Sequence, residues 1–135
     1  MAKIEFDGFE DYRKQLLKLG TSIEGVIRYA VYDAAGMVAD SIKANTPIES
    51  GSLQNSIALT GFRNEDGYIY TKVVFDGYDG RGVPNALKAR VLESGSSKRK
   101  KHPFIRPAFN RVKSAAEFSI ENKLNEKMNE LMKGS

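Results

Sequence analysis

The residues best equipped for chemistry in this 135-residue chain are Lys98-Arg99-Lys100-Lys101-His102. Clustered Lys and Arg neutralise phosphates and release counterions. The same charges suit an acidic protein partner, or simply keep a loop solvated. No aromatic residue interrupts the run, so it offers bases no stacking platform. His102 is the chain's one imidazole, the side-chain type most often used as a general acid or base. No Ser is marked as its partner, so a hydrolase or nuclease using His102 with a carboxylate lacks an activated pair. A surface His beside four cations is the plainer reading. Asp76-Gly77-Tyr78-Asp79-Gly80-Arg81-Gly82 resembles a calcium loop only superficially, because regular acidic spacing and a closing Glu are absent. It also lacks the Gly-Lys-Ser/Thr ending of a phosphate-cradling loop, and reads as a strand-to-helix connection.

Composition narrows the function further. The chain has no Cys and one His. That excludes thiolate catalysis, Cys-based zinc sites, disulfides and a His-rich metal site. No catalytic residue, metal or cofactor is expected. Net charge is +4, yet residues 88–113 hold nine Lys/Arg and a single acid, Glu93. One basic segment therefore sits on a slightly acidic body. No run approaches the roughly 18 apolar residues of a membrane span, and the N-terminus lacks a signal-type apolar core. These features predict a soluble, non-exported protein forming a single domain, 1–135, with a mobile basic loop at 95–103.

The elements that must position these residues follow from periodicity. Asp7 and Glu10 form a capping-box pattern before Phe9, Tyr12, Leu16 and Leu17, predicting a first helix that Gly20 ends. Thr21 to Glu24 repeats the pattern before a second helix with apolar positions from Ile23 through Val26, Ile27, Ala30, Val31, Ala34, Ala35, Val38 and Ala39 to Ile42. Its alanines imply a closely approaching neighbour, and Pro47 limits it. Tyr29 and Tyr32 lie off this stripe, either covering a hairpin or facing a partner subunit. Residues 46–52 read as a loop. Ile57 to Phe62 suggests a strand, residues 64–67 a turn, and Tyr68 to Phe75 a second strand of the same hairpin. Asn85 to Glu93 is a short helix with Ala86, Ala89 and Leu92 on one side. Pro107 fits the first turn of a final helix whose stripe runs Phe109, Val112, Ala116, Ile120, Leu124, Met128 and Leu131. The fold class is α+β: two N-terminal helices and a long C-terminal helix packed on a small antiparallel β-sheet. The outer turns of the last helix look long for this body and are expected to reach another protein.

Three residue combinations carry a resemblance. The first runs from Lys43 through Thr46-Pro47 and Ser50-Gly51-Ser52-Leu53 to Ser56-Ile57. The second is Ala89-Arg90-Val91-Leu92-Glu93-Ser94-Gly95-Ser96. The third is Pro103-Phe104-Ile105-Arg106-Pro107-Ala108. Together they are similar to motifs of small tail-assembly proteins of long-tailed bacteriophages and prophages. That family comprises the gene-product-ten-like minor tail components, described as tail-completion, head–tail joining or morphogenesis proteins. Lys88 stands where the family usually has an aromatic, and Ser94 replaces a Phe.

The resemblance implies a structural, non-enzymatic virion protein of the neck or tail, assembled in the host bacterial cytoplasm. It implies a homo-oligomeric ring contacting head-connector and tail proteins, with no membrane. The basic loop (Lys98, Arg99, Lys100, Lys101), with Arg106, would face an acidic neighbouring ring or the DNA channel. A sequence-independent DNA-binding module is the alternative. Pro47, Gly51, Leu53, Glu93, Gly95, Pro103, Phe104 and Pro107 are the motif's structural residues. Among them Gly51 permits a tight turn, Leu53 with Ile57 leads into a strand, Phe104 anchors the basic loop to the core, and Pro107 starts the last helix.

Overall fold

The computed structural model describes residues 3–5, 14, 24–47, 51–65 and 68–133. The first predicted helix, Asp7 to Gly20, lies outside these residues except for Lys14, which is helical. The element order is β1 (Lys3–Glu5), α1 (Glu24–Asn45), α2 (Ser52–Asn55), β2 (Ile57–Leu59), β3 (Arg63–Glu65), β4 (Tyr68–Phe75), α3 (Asn85–Ser94) and α4 (Ile105–Lys133). The architecture is α+β, with a small antiparallel sheet and a long C-terminal helix.

The alanine-rich stripe makes α1 the central element. Ile27, Ala30, Val31, Ala34, Ala35, Val38 and Ile42 are all buried. That stripe is too wide for one neighbour, and α1 packs on α4 along one side and on β1, β2 and β4 along the other. Ala30 and Ala34 of α1 are fully buried, as are Ala108 and Ala116 of α4. Short side chains let the two helices approach closely. Ile120 and Leu124 of α4 complete the contact, each contributing roughly 1.5–3 kcal/mol by leaving water. At 1.5 Å per residue, α4 spans about 43 Å, so its far turns carry only the half-buried Met128 and Leu131.

β4 is the sheet's axis. Tyr70 pairs with Glu5 of β1 and with Arg63 of β3, so these two strands flank β4 on opposite sides. Alternation places Thr71, Val73 and Phe75 in the core. Of the predicted first strand, Ile57 to Phe62, only Ile57–Leu59 is strand (β2), and β3 takes Arg63 with Asn64 and Glu65, which the pattern had assigned to the turn. β2 pairs Leu59 with Val73, while β3 pairs Arg63 with Tyr70, so the register slips by one residue between them. This is a bulge. Thr60 manages it by donating its N–H to the Lys72 carbonyl at 2.9 Å and accepting the Lys72 N–H on Oγ1 at 2.9 Å. The bulge follows from local backbone geometry that apolar alternation does not encode.

Two other local expectations are corrected. A helical turn, α2, occupies Ser52–Asn55 where the pattern predicted loop leading into strand. Gly51 makes it possible at φ 75°, and its carbonyl accepts the Asn55 N–H at 3.0 Å. In α3 the buried side is Asn85, Ala89 and Leu92, leaving Ala86 exposed. Asn85 takes the inner position because its polar atoms are satisfied: Nδ2 donates to the Asp76 carbonyl at 3.0 Å and Oδ1 accepts from Ser52 Oγ at 3.3 Å.

Candidate functional site

The site begins with a carboxylate. Glu93, on the last turn of α3, accepts three backbone N–H groups from the start of α4. Phe104 and Ile105 donate to Oε1, each at 2.8 Å, and Arg106 donates to Oε2 at 2.9 Å. A helix opens with four N–H groups that have no partner in its own ladder. Here the fourth belongs to Pro107, which has no N–H. The negative charge also suits the positive end of the helix dipole. The Phe104 carbonyl receives the Ala108 N–H and Asn45 Nδ2, while Ser41 Oγ donates to the Ala108 carbonyl at 2.9 Å. The end of α1, the end of α3 and the start of α4 are thus joined by polar contacts. The Phe104 ring is buried beneath this junction, edge-on to Phe75 with centroids 5.8 Å apart.

The basic loop rises from the junction and returns to it. Gly95 donates its N–H to the Val91 carbonyl at 2.7 Å and takes φ 79°. A side chain there would meet the Lys101 backbone nitrogen at 3.0 Å, because the loop folds back over Gly95. Ser96 donates its N–H to the Arg99 carbonyl at 2.8 Å, and His102 donates its N–H to the Leu92 carbonyl at 2.7 Å. Both feet of the loop therefore stand on α3. Lys98, Arg99, Lys100, Lys101, His102 and Pro103 are exposed.

Beside the loop lies an apolar groove of about 230 Å³. Pro47 and Leu53 come from the first sequence motif, Val91 and Leu92 from the second, and Arg99 from the basic loop. Leu87, 40% exposed, forms the outer lip, and Lys88 stands at the rim. Lys88 Nζ lies 3.2 Å from Asp79 Oδ2. Asp79 Oδ1 accepts the N–H groups of Arg81 and Val83, each at 2.9 Å. The Val83 and Arg81 backbone donors hold the Asp79 carboxyl below its ordinary value, against an opposing effect of burial and with a lesser contribution from Lys88. Asp79 thus organises its own turn, the strand-to-helix connection from β4 to α3. Among the described residues no group of three or more His, Asp and Glu could hold a metal ion.

Tertiary structure therefore brings Pro47, Leu53 and Arg99 to one groove and places Glu93, Gly95, Phe104 and Pro107 at the adjoining junction. Arg106 is exposed on the first turn of α4, and neither it nor Lys98, Lys100 or Lys101 lines the groove. Sequence reasoning missed Leu87, Asp79, Asn85, Ser41 and Asn45. For Asn85 a signal existed: a polar residue directly after Pro84 at a helix start. Leu87 had none, since one exposed apolar residue on a short helix is ordinary. Tyr29 and Tyr32 prove exposed, at 66% and 49%, and with Phe62 and Arg28 they border a separate open groove.

The family model described as "Bacteriophage HK97-gp10, putative tail-component" matches residues 10–95. The chain belongs to this family. The matched span holds the first motif and the second as far as Gly95, hence most of the groove, and stops before Phe104 and Pro107. No curated protein and no solved structure matches the chain. Membership of the gp10-like family supports a structural role in the phage tail, and so a place in the virion. No helix among the described residues is long and apolar enough to cross a membrane.

Proposed function

We propose that this gp10-like chain is a non-enzymatic subunit of the phage neck that completes the tail and joins it to the head through a ring of identical copies. The observation that carries the reading is the convergence of both family-matched motifs on one apolar groove rimmed by Lys88 and Arg99. Apolar floors with polar rims are what protein–protein contacts use. In this reading residues 1–135 act as one domain. The tip of loop 95–103 moves between its two anchored feet and meets an acidic surface of a head-connector or tail protein.

The deciding experiment is electron microscopy of particles made without this gene, in a phage or an induced prophage. Filled heads lying apart from finished tails are expected, and normally joined particles would overturn the reading. Replacing Lys98, Arg99, Lys100 and Lys101 with Ser is expected to leave the fold intact and reduce particle yield. His102→Ala is expected to leave yield unchanged.

A second reading is favoured by the exposure of those four cations: sequence-independent binding to DNA in the channel. It requires an affinity for duplex DNA that falls steeply with salt, with a log–log slope near −0.9 per phosphate contacted. Binding that ignores salt, or no binding, removes it.

A further inference from the structure

We infer that the groove beside α3 receives the outer face of α4, centred on Phe118, from a second copy of this chain. The inference rests on the ring reading above and names its two surfaces.

Phe118 is 67% exposed. It lies opposite Ala116 and Ile120, both fully buried, so its ring points away from the subunit's own core. Its neighbours Glu117 and Glu121 are acidic, and no cation occurs from residue 114 to residue 122. The element is an aromatic anchor flanked by carboxylates. The groove has the complementary chemistry: an apolar floor of Leu53, Val91 and Leu92 within about 230 Å³, with Arg99 and Lys88, itself paired with Asp79, at the rim. An apolar cavity of about 150 Å³ accepts benzene, so a phenyl ring fits this volume. Lys98, Lys100 and Lys101 extend the positive field beyond the rim.

Phe118 cannot reach the groove of its own subunit. Phe118 lies about 20 Å along α4 from Ile105 at one 1.5 Å step per residue, whereas the helix start is fixed beside the groove's own helix by Glu93. Phe118 therefore meets this groove only on another copy. Contact between two different faces of identical subunits is heterologous and propagates, closing into a ring where the rotation allows. The aromatic anchor supplies the buried centre of the contact, and attraction between Glu117 and Glu121 and the exposed Lys98, Lys100 and Lys101 sets its register and rejects wrong pairings.

The chain's lack of Cys makes the test direct. Leu87→Cys and Phe118→Cys are introduced together, and assembled particles are treated with a short bismaleimide. A ladder of covalent multimers of this chain is expected. Each single variant should give monomer only, because neither face meets itself. Particles carrying the double variant at wild-type amount but yielding no multimers overturn the inference while leaving the neck reading untouched. Cross-linking of Leu87→Cys to a different virion protein also overturns it, replacing the second copy with that partner. If the double variant yields no particles, the two purified single variants are first matched to wild type in thermal melts. They are then mixed and cross-linked at high concentration. Predominant Leu87–Phe118 heterodimers support the contact; absence of cross-linking, or homodimers in statistical proportion, overturns it. The separate failure of the neck reading would be normally joined particles in the gene's absence.

Discussion

Glu93 and Pro107 divide between them the four leading backbone positions of α4. The Glu93 carboxylate takes the N–H groups of Phe104, Ile105 and Arg106, and Pro107 contributes none. The longest helix therefore starts with no unmet donor, although its cap comes from a different helix across a nine-residue loop. This makes Glu93 the hinge on which the basic loop, α3 and α4 keep their relation.

Glu93→Ala should destabilise the fold by about 2–4 kcal/mol, because charged hydrogen bonds of this kind are individually worth about 1.5–3 kcal/mol and water replaces part of them. Urea denaturation measures this. A loss under about 0.5 kcal/mol, the scale of an ordinary surface substitution, would mean solvent caps α4 equally well.

Phe104→Ala should cost about 3–5 kcal/mol. The ring is 3% exposed and meets Phe75 edge-on. Retained stability in the same denaturation would show that the ring contributes no core packing.

At Gly95, φ 79° with ψ 176° is a conformation open essentially to glycine alone. Gly95→Ala should destabilise by about 1–3 kcal/mol, and the added methyl would also press on the Lys101 nitrogen at 3.0 Å. The loop's feet should then separate, read as faster amide hydrogen exchange at His102 and Ser96. Unchanged exchange and stability would show that the loop does not need this backbone conformation.

Asp79 links stability to pH. Its carboxyl is held below the ordinary value of 3.8 by the Val83 and Arg81 N–H groups and by Lys88. A depressed folded-state value stabilises the protein above the unfolded value, and the benefit is lost as pH falls through the folded value. The stability difference between wild type and Asp79→Asn should therefore be constant well above pH 3.8 and shrink on acidification below it. A difference that does not change through this acidic range would mean the charged form is not selectively bound.

Thr71 is fully buried on β4, and its Oγ1 has no hydrogen-bond partner among the described residues. Thr71→Val keeps the shape and removes the unmet hydroxyl, so stability should rise by about 1–2 kcal/mol. A loss instead would reveal a partner for the hydroxyl.

Periodicity alone determined the helices that carry the core. The apolar stripe from Val26 to Ile42 and that from Phe109 to Leu131 are local properties of the chain, repeating every three or four residues, and each survives in the fold as the buried face of α1 or α4. Pro47 and Pro107 were legible for the same reason, since proline constrains its immediate backbone. So were the motifs that led to the tail-component family, because they are contiguous strings. Tertiary structure decided the rest. Glu93 is one acid in a basic stretch until the chain folds its carboxylate onto residues 104–106, a contact between segments that no short window spans. The groove unites Pro47, Leu53, Val91 and Arg99 from three separate segments, and the bulge at Thr60 depends on which β4 carbonyl it meets. Leu87 and Phe118 became informative only when burial was known: the physical meaning of an apolar side chain lies in whether its own chain covers it, and only the fold answers that.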